Sequence, residues 1–283
     1  MQTTKIFALV LFIFALPMSA CAAKTIVLKD KNDSSFQVKI SKYEVEQPKY
    51  DFLVVIFPPT GGSTSLDRGY ARSLQKKGAN VWVIEEWTGY DEFSVDPELH
   101  DRHITRAKKA FQFVRKERPG KYRLLGTSLG GMYVASLAAE HPEIENWVAI
   151  ASGAPFSRVL AHSEQEVSEK LRQARKPEWS FRSKDEYEAI LGEAISQDIL
   201  PPRMAGKRVP GIEGPKSEGV RWSQKDILMI LATEDDSVPS ESQFELWQAA
   251  GKPKKIEIAN NHVWAIVKAY WSYGDDVVDH LTQ

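Results

Sequence analysis

Residues 122–131 read Tyr122-Arg123-Leu124-Leu125-Gly126-Thr127-Ser128-Leu129-Gly130-Gly131, and Met132-Tyr133-Val134-Ala135 follow. A short apolar run, a serine between glycines and a run of small helix formers read as strand, sharp turn and helix. The spacing Gly126-x-Ser128-x-Gly130 fits a nucleophile elbow, where the serine holds a strained backbone and its hydroxyl projects beyond the sheet. A side chain on either glycine would collide with the neighbouring strand or helix. Five common loop residues can also make an ordinary tight turn. The strand before them and the helix after them favour a catalytic serine.

The rest of the chain repeats this alternation. Thr25-Ile26-Val27-Leu28 and Phe36-Gln37-Val38-Lys39-Ile40 flank a turn-rich stretch and read as an edge hairpin, the second strand half-buried by its alternation. Phe52–Phe57 is apolar on both faces, as a central parallel strand is. Residues 65–77 are helical by Leu66, Tyr70 and Leu74, and Val81–Ile84 is the next strand. From Pro97 to Lys116 a helix places Ile104, Ala107, Phe111 and Val114 on one face, before Pro119-Gly120 stops it. The elbow strand and its helix follow, then a strand at Trp147–Ile150. Later, Asp226–Leu231 and Lys255–Ile258 are strands, Glu241–Ala250 is a helix, and residues 263–281 close the chain as a helix expected to break at Gly274. This pattern predicts an α/β fold, a mostly parallel sheet with helices on both faces.

Residues 156–222 interrupt it. Helical stretches at Ser163–Ala174 and Lys184–Ile195 are followed by a connection rich in proline and glycine. Lying between two sheet strands, this segment reads as a helical cap inserted into the domain of residues 23–283. The bland alternative is a surface excursion that touches no site.

Residues 1–22 read as a secretory signal peptide. Lys5 is their one charge, Ile6 to Pro17 is apolar, and Ala20 and Ala22 suit cleavage before Ala23. Met18-Ser19-Ala20-Cys21 also resembles a bacterial lipobox, which would attach a lipid to Cys21. A soluble exported protein, periplasmic or secreted, is the favoured expectation, and a membrane contact follows only if Cys21 is lipidated.

The functional groups of an open α/β sheet gather at the carboxyl ends of its strands. Here those ends carry Pro58-Pro59-Thr60-Gly61-Gly62, Ser128, the acidic stretch Glu234-Asp235-Asp236, and His262. A serine hydroxyl needs a base to become a nucleophile, and a histidine base needs a carboxylate to fix its tautomer. Gly126-Thr127-Ser128-Leu129-Gly130-Gly131, the Asp235-x-x-Val238-Pro239 ending and His262 after the last strand, in that chain order, resemble the α/β-hydrolase superfamily. The likeness covers residues 36–155 and 224–281, leaves out the insert, and is specific for the superfamily rather than for a substrate.

The resemblance implies Ser128 as nucleophile, His262 as base and Asp235 as orienting acid, with Asp236 the alternative acid and Glu234 a third. It implies an oxyanion hole with one donor at the N–H of Leu129 and another after the Phe52–Phe57 strand. Pro58 and Pro59 have no N–H, which leaves Thr60 or Gly61, with Thr60 preferred. Family members often carry His-Gly at this loop, where this chain has Pro-Thr-Gly-Gly. The remaining histidines, His100, His103, His141, His162 and His280, are expected to be solvated, since none follows a strand after the acid.

The expected function is hydrolysis of a small carboxylic ester through an acyl-enzyme. An amidase or peptidase, or a non-catalytic binding protein on the same scaffold, is the alternative. Trp179, Phe181 and Tyr187 of the insert, with Trp87 and Trp264, are expected to narrow an apolar pocket that prefers short acyl groups. Other classes find little support. A net charge of −1 argues for no nucleic-acid surface, and a single cysteine allows no intramolecular disulfide. No G-K-[ST] follows the glycines and no H-E-x-x-H occurs, so neither a phosphate-binding loop, a cofactor nor a metal is expected. The oligomeric state is not legible.

Overall fold

The computed structural model describes residues 23–29, 35–89, 97–200, 222 and 225–283. Among the described residues eight strands form one sheet: β1 (Lys24–Lys29), β2 (Gln37–Tyr43), β3 (Phe52–Phe57), β4 (Asn80–Trp87), β5 (Lys121–Thr127), β6 (Ile144–Ile150), β7 (Asp226–Ala232) and β8 (Lys254–Ile258). Their order is β1-β2-β4-β3-β5-β6-β7-β8. β1 pairs antiparallel with β2 and β2 with β4, while every pairing from β4 to β8 is parallel. All six residues of β3 are buried, as a strand covered on both faces must be.

The helices are α1 (Ser65–Lys77), α2 (Pro97–Glu117), α3 (Leu129–Glu140), α4 (Phe156–His162), α5 (Glu166–Trp179), α6 (Lys184–Ala194), α7 (Ser240–Ala249) and α8 (His262–His280). Two apolar cores cover the faces of the sheet. One packs α2, α3 and α7 against one sheet face through Phe111, Met132, Tyr133 and Leu246. The other packs α1 and α8 against the opposite face through Tyr70, Leu74, Ala265 and Val277. Among the described residues no helix is long and apolar enough to cross a membrane.

After β3 the chain adds β4 on one side and then returns to place β5 on the other. The loops leaving β3 and β5 therefore diverge around a crevice, the topological switch point where ligands of open α/β sheets bind.

Three local expectations change. The insert contains a helix, α4, that its seven residues were too few to announce by periodicity. Its neighbour α5 begins at Glu166 and runs through Pro177 before Ser180 closes it at φ 51°. α8 passes through Gly274 unbroken, since a helical glycine costs only about 1 kcal/mol against alanine and packing of the flanking turns exceeds that. The expected leader with Cys21, and residues 201–221 of the insert, lie outside the described residues.

Candidate active site

Ser128 stands between β5 and α3 with φ 54° and ψ −123°, a conformation that costs a residue with a side chain about 1–3 kcal/mol. The surroundings hold it there. Its N–H donates to the Ile150 carbonyl at 2.8 Å, and its carbonyl accepts from the Gly131 N–H at 3.0 Å and from Ser152 Oγ at 2.5 Å. The glycines are demanded by contact. A Cβ on Gly126 would lie 2.2 Å from the Gly130 carbonyl oxygen, and one on Gly130 would lie 2.3 Å from that of Phe57. The turn after β5 is thus locked against the loop after β3.

Asp235 follows β7, with its side chain fully buried. Its Oδ1 accepts from the N–H groups of Ser237 and Val238, both at 2.8 Å. Its Oδ2 accepts from Gln243 Nε2 at 3.1 Å and faces His262 Nδ1 at 2.7 Å. Gln243 was invisible in the sequence, a lone glutamine on α7. It is fully buried, bridges the N–H and C=O of Ala232 (2.8 and 3.1 Å) and donates to the Val238 carbonyl at 2.8 Å.

His262 opens α8, which Asn261 caps by accepting from the Trp264 N–H. Its Nε2 lies 2.9 Å from Ser128 Oγ. An ionised carboxylate only accepts, so the contact with Asp235 places the ring proton on Nδ1. Nε2 then offers its lone pair to the serine hydroxyl. Serine, imidazole and carboxylate in this order can deliver a proton from an attacking hydroxyl to a leaving group. Asp236, the alternative acid, is exposed, and its carboxylate receives the Ser237 hydroxyl at 3.2 Å. Glu234 is exposed as well.

Thr60 and Leu129 line one cavity together with Ser128 and His262. Leu129 is the first residue of α3, where N–H groups have no partner within the helix and favour negative charge. The loop carrying Thr60 is pinned beyond it. Gly61 and Gly62 take φ 91° and 94°, the Ser63 N–H donates to the Glu85 carbonyl at 3.1 Å, and Thr64 forms a capping box with Asp67. The Glu85 carboxylate takes the Ser63 hydroxyl and pairs with Arg68 at 2.6 Å.

The cavity has a volume of about 460 Å³. Met132 and Tyr133 of α3, Phe156, Val159 and Leu160 of α4, and Ile266 of α8 give it a mainly apolar wall. The start of α5 contributes Val167 and Ser168, so the insert does reach the serine. The rings expected to narrow this space do not line it. Phe181 and Tyr187 pack on each other at 4.6 Å, and Trp179 lies 5.6 Å from Tyr187, within the insert's own core. Trp87 is buried against Tyr133, and Trp264 is exposed.

Two histidines expected in solvent are instead part of the wall. His100 and His103 are buried, and His100 stacks on Phe156 with centroids 3.8 Å apart. Both continue the apolar face of α2, His100 four residues before Ile104 and His103 four before Ala107, a periodicity that could have revealed them. His280 is buried too, and burial holds its imidazole below the ordinary value, as it does for the half-buried His141.

Neither a known protein family nor a curated protein sequence matches the chain. Solved structures do. An esterase of Pyrococcus furiosus, Pf2001, is 16% identical with a TM-score of 0.58, covering 92% of this chain and 91% of its own. The thioesterase domain from the curacin biosynthetic pathway is 16% identical with a TM-score of 0.54, covering 91% and 99%. The enol-lactonase of Burkholderia xenovorans LB400 is 17% identical with a TM-score of 0.55, covering 88% and 97%. Identities this low speak for the fold and leave the chemistry to the site.

Proposed function

We propose that this chain, which has the α/β-hydrolase fold, is a serine hydrolase that cleaves a carboxylic ester through an acyl-enzyme. The observation that carries the reading is the chain of contacts from Ser128 Oγ to His262 Nε2 at 2.9 Å and from His262 Nδ1 to Asp235 Oδ2 at 2.7 Å. In this reading Ser128 attacks the ester carbonyl and His262 takes its proton. The oxyanion is met by the N–H groups of Leu129 and Thr60, donors of a kind worth about 2.7–4 kcal/mol each. His262 then protonates the departing alkoxide, and a water activated by the same ring releases the acid. Asp235 keeps the ring in the working tautomer and balances its transient charge.

Structural neighbours described as esterases and an enol-lactonase support an ester as substrate. A mainly apolar cavity of about 460 Å³ is of the size that takes a small organic molecule. The acyl group would lie along Met132, Tyr133, Val159 and Leu160, which suits chains of short to intermediate length over long lipids. Residues 1–22 would direct export.

The experiment is labelling of the mature protein with a fluorophosphonate, together with kcat/KM for p-nitrophenyl acetate, butyrate and palmitate. Label on Ser128 alone, lost in Ser128→Ala, with butyrate preferred over palmitate, is the expected result. Labelling that persists in Ser128→Ala would remove the nucleophile assignment, and a rise from butyrate to palmitate would remove the acyl-length assignment.

A further inference from the structure

We infer that the insert holds a second site, for a divalent cation of the zinc type, formed by His162, Asp185 and Glu188. His162 ends α4, and the two acids lie three residues apart on α6, so both present to the same side of that helix. His162 Nε2 is 2.9 Å from Glu188 Oε2 and 3.3 Å from Asp185 Oδ1, and the three ligand atoms lie within 4.8 Å of one another. A tetrahedral ion with bonds of about 2.0–2.2 Å spaces its ligand atoms by about 3.3–3.6 Å. The three donors therefore stand near the places such an ion would require, with one imidazole and two carboxylates, a set that suits zinc better than calcium or magnesium.

An independent observation points to a ligand. Glu188 is fully buried, and while its Oε2 meets His162, its Oε1 has no hydrogen-bond partner among the described residues. A buried carboxylate with one oxygen unsatisfied is costly, and a cation held by both oxygens would satisfy it. Arg158 does not do so, since its Nη1 contacts Oε2 alone, at 3.4 Å. Of the three ligands His162 alone lines the neighbouring hollow of about 430 Å³, whose walls carry Glu164, Glu234, Asp236 and Glu241 beside Arg158 and Lys184.

The position gives the site a consequence. A bound ion would tie α4 to α6, and α4 supplies Phe156, Val159 and Leu160 to the cavity wall. Two residues beyond His162, the Glu164 N–H donates to the Asp236 carbonyl at 2.8 Å. The ion would thus brace both the wall of the cavity and the turn that carries Asp235.

The test is calorimetric titration of tag-free, chelator-stripped protein with Zn²⁺, Ca²⁺ and Mg²⁺, paired with thermal melts. One equivalent of Zn²⁺ should bind and raise Tm. Asp185→Asn and His162→Gln should each weaken binding tenfold or more and abolish the rise in Tm. Asp185 is half exposed, so its variant keeps the fold and decides the matter if His162→Gln does not fold. No saturable Zn²⁺ binding, or affinity unchanged in Asp185→Asn, would overturn the site. Tighter binding of Ca²⁺ or Mg²⁺ than of Zn²⁺ would overturn its assignment to a zinc-type ion. None of these readouts uses catalysis, so the site stands or falls apart from the hydrolase reading.

Discussion

Gln243 and His262 meet on the same atom: Gln243 Nε2 at 3.1 Å and His262 Nδ1 at 2.7 Å both approach Asp235 Oδ2. The amide therefore draws off part of the charge that would otherwise face the imidazole. Gln243→Met keeps the volume and removes the donor. The expected outcome is a fall in kcat/KM of roughly ten- to a hundredfold, the equivalent of losing a hydrogen bond to a charged group. An unchanged kcat/KM in Gln243→Met would show that the amide's contact with Asp235 does not matter to turnover.

The acid can be assigned by comparing neighbours. Asp235→Asn should lower kcat by about 10⁴, as when a triad carboxylate becomes an amide and fixes the wrong tautomer. Asp236→Asn should stay within a few-fold, because that carboxylate is exposed and accepts from the Ser237 hydroxyl at its edge of the turn. Steady-state kinetics with a p-nitrophenyl ester decides between them, and the opposite ranking would move the role to Asp236.

Two glycines separate contact from tolerance. Gly130→Ala places a Cβ 2.3 Å from the Phe57 carbonyl oxygen and 2.6 Å from that of Pro58, backbone atoms that cannot step aside. Urea unfolding should show a loss of about 1–3 kcal/mol or more, with activity lost as the turn parts from the Thr60 loop. Gly274→Ala meets nothing within 4 Å and should gain roughly 0.5–1 kcal/mol.

Burial keeps the folded-state pKa of His280 below its ordinary value, although the nearby Asp226 pulls the other way. The unfolded chain therefore binds a proton first as pH falls. This contribution to stability is present above the unfolded value of about 6.5 and is lost on acidification through it. Denaturation midpoints measured from pH 7.5 to 5 should fall in the wild type and fall less steeply in His280→Gln. An equal slope in both would show that His280 is not held neutral.

Export is tested at the mature N-terminus. Mass spectrometry of protein from a bacterial host should find a chain beginning at Ala23. A chain beginning at Cys21 with an attached diacylglycerol would establish the lipoprotein route instead.

The elements that sequence made legible are those in which one local rule decides. β3 is apolar at every position, the elbow glycines are forced by approach distances near 2 Å, and Ser128, Asp235 and His262 each sit where a strand runs out. What remained hidden depends on partners far along the chain. Gln243 acquires its role from Ala232, Asp235 and Val238, and no local pattern marks it. His100 and His103 are expected in solvent because neither follows a strand after the acid, whereas their place on the α2 face was the better guide. The insert's rings were read as facing the pocket, whereas the described helices of the insert first need a core of their own, and Phe181 and Tyr187 supply it. Helix α4 follows the same logic. Its N-terminus is held by Asp198, whose carboxylate takes the N–H groups of Phe156 and Ser157 at 2.7 and 3.0 Å.

The seam between the insert and the acid turn bears on how such a protein could be re-engineered. Glu164 N–H binds the Asp236 carbonyl, and Gln165 Nε2 binds the Ser237 hydroxyl. Exchanging the insert for one from another protein of this fold would sever both bonds and loosen the turn that holds Asp235. The transplantable module is therefore discontinuous: residues 156–200 have to travel together with residues 233–238. A chimera that carries both should retain turnover, and one that carries the helices alone should fold and yet lose it.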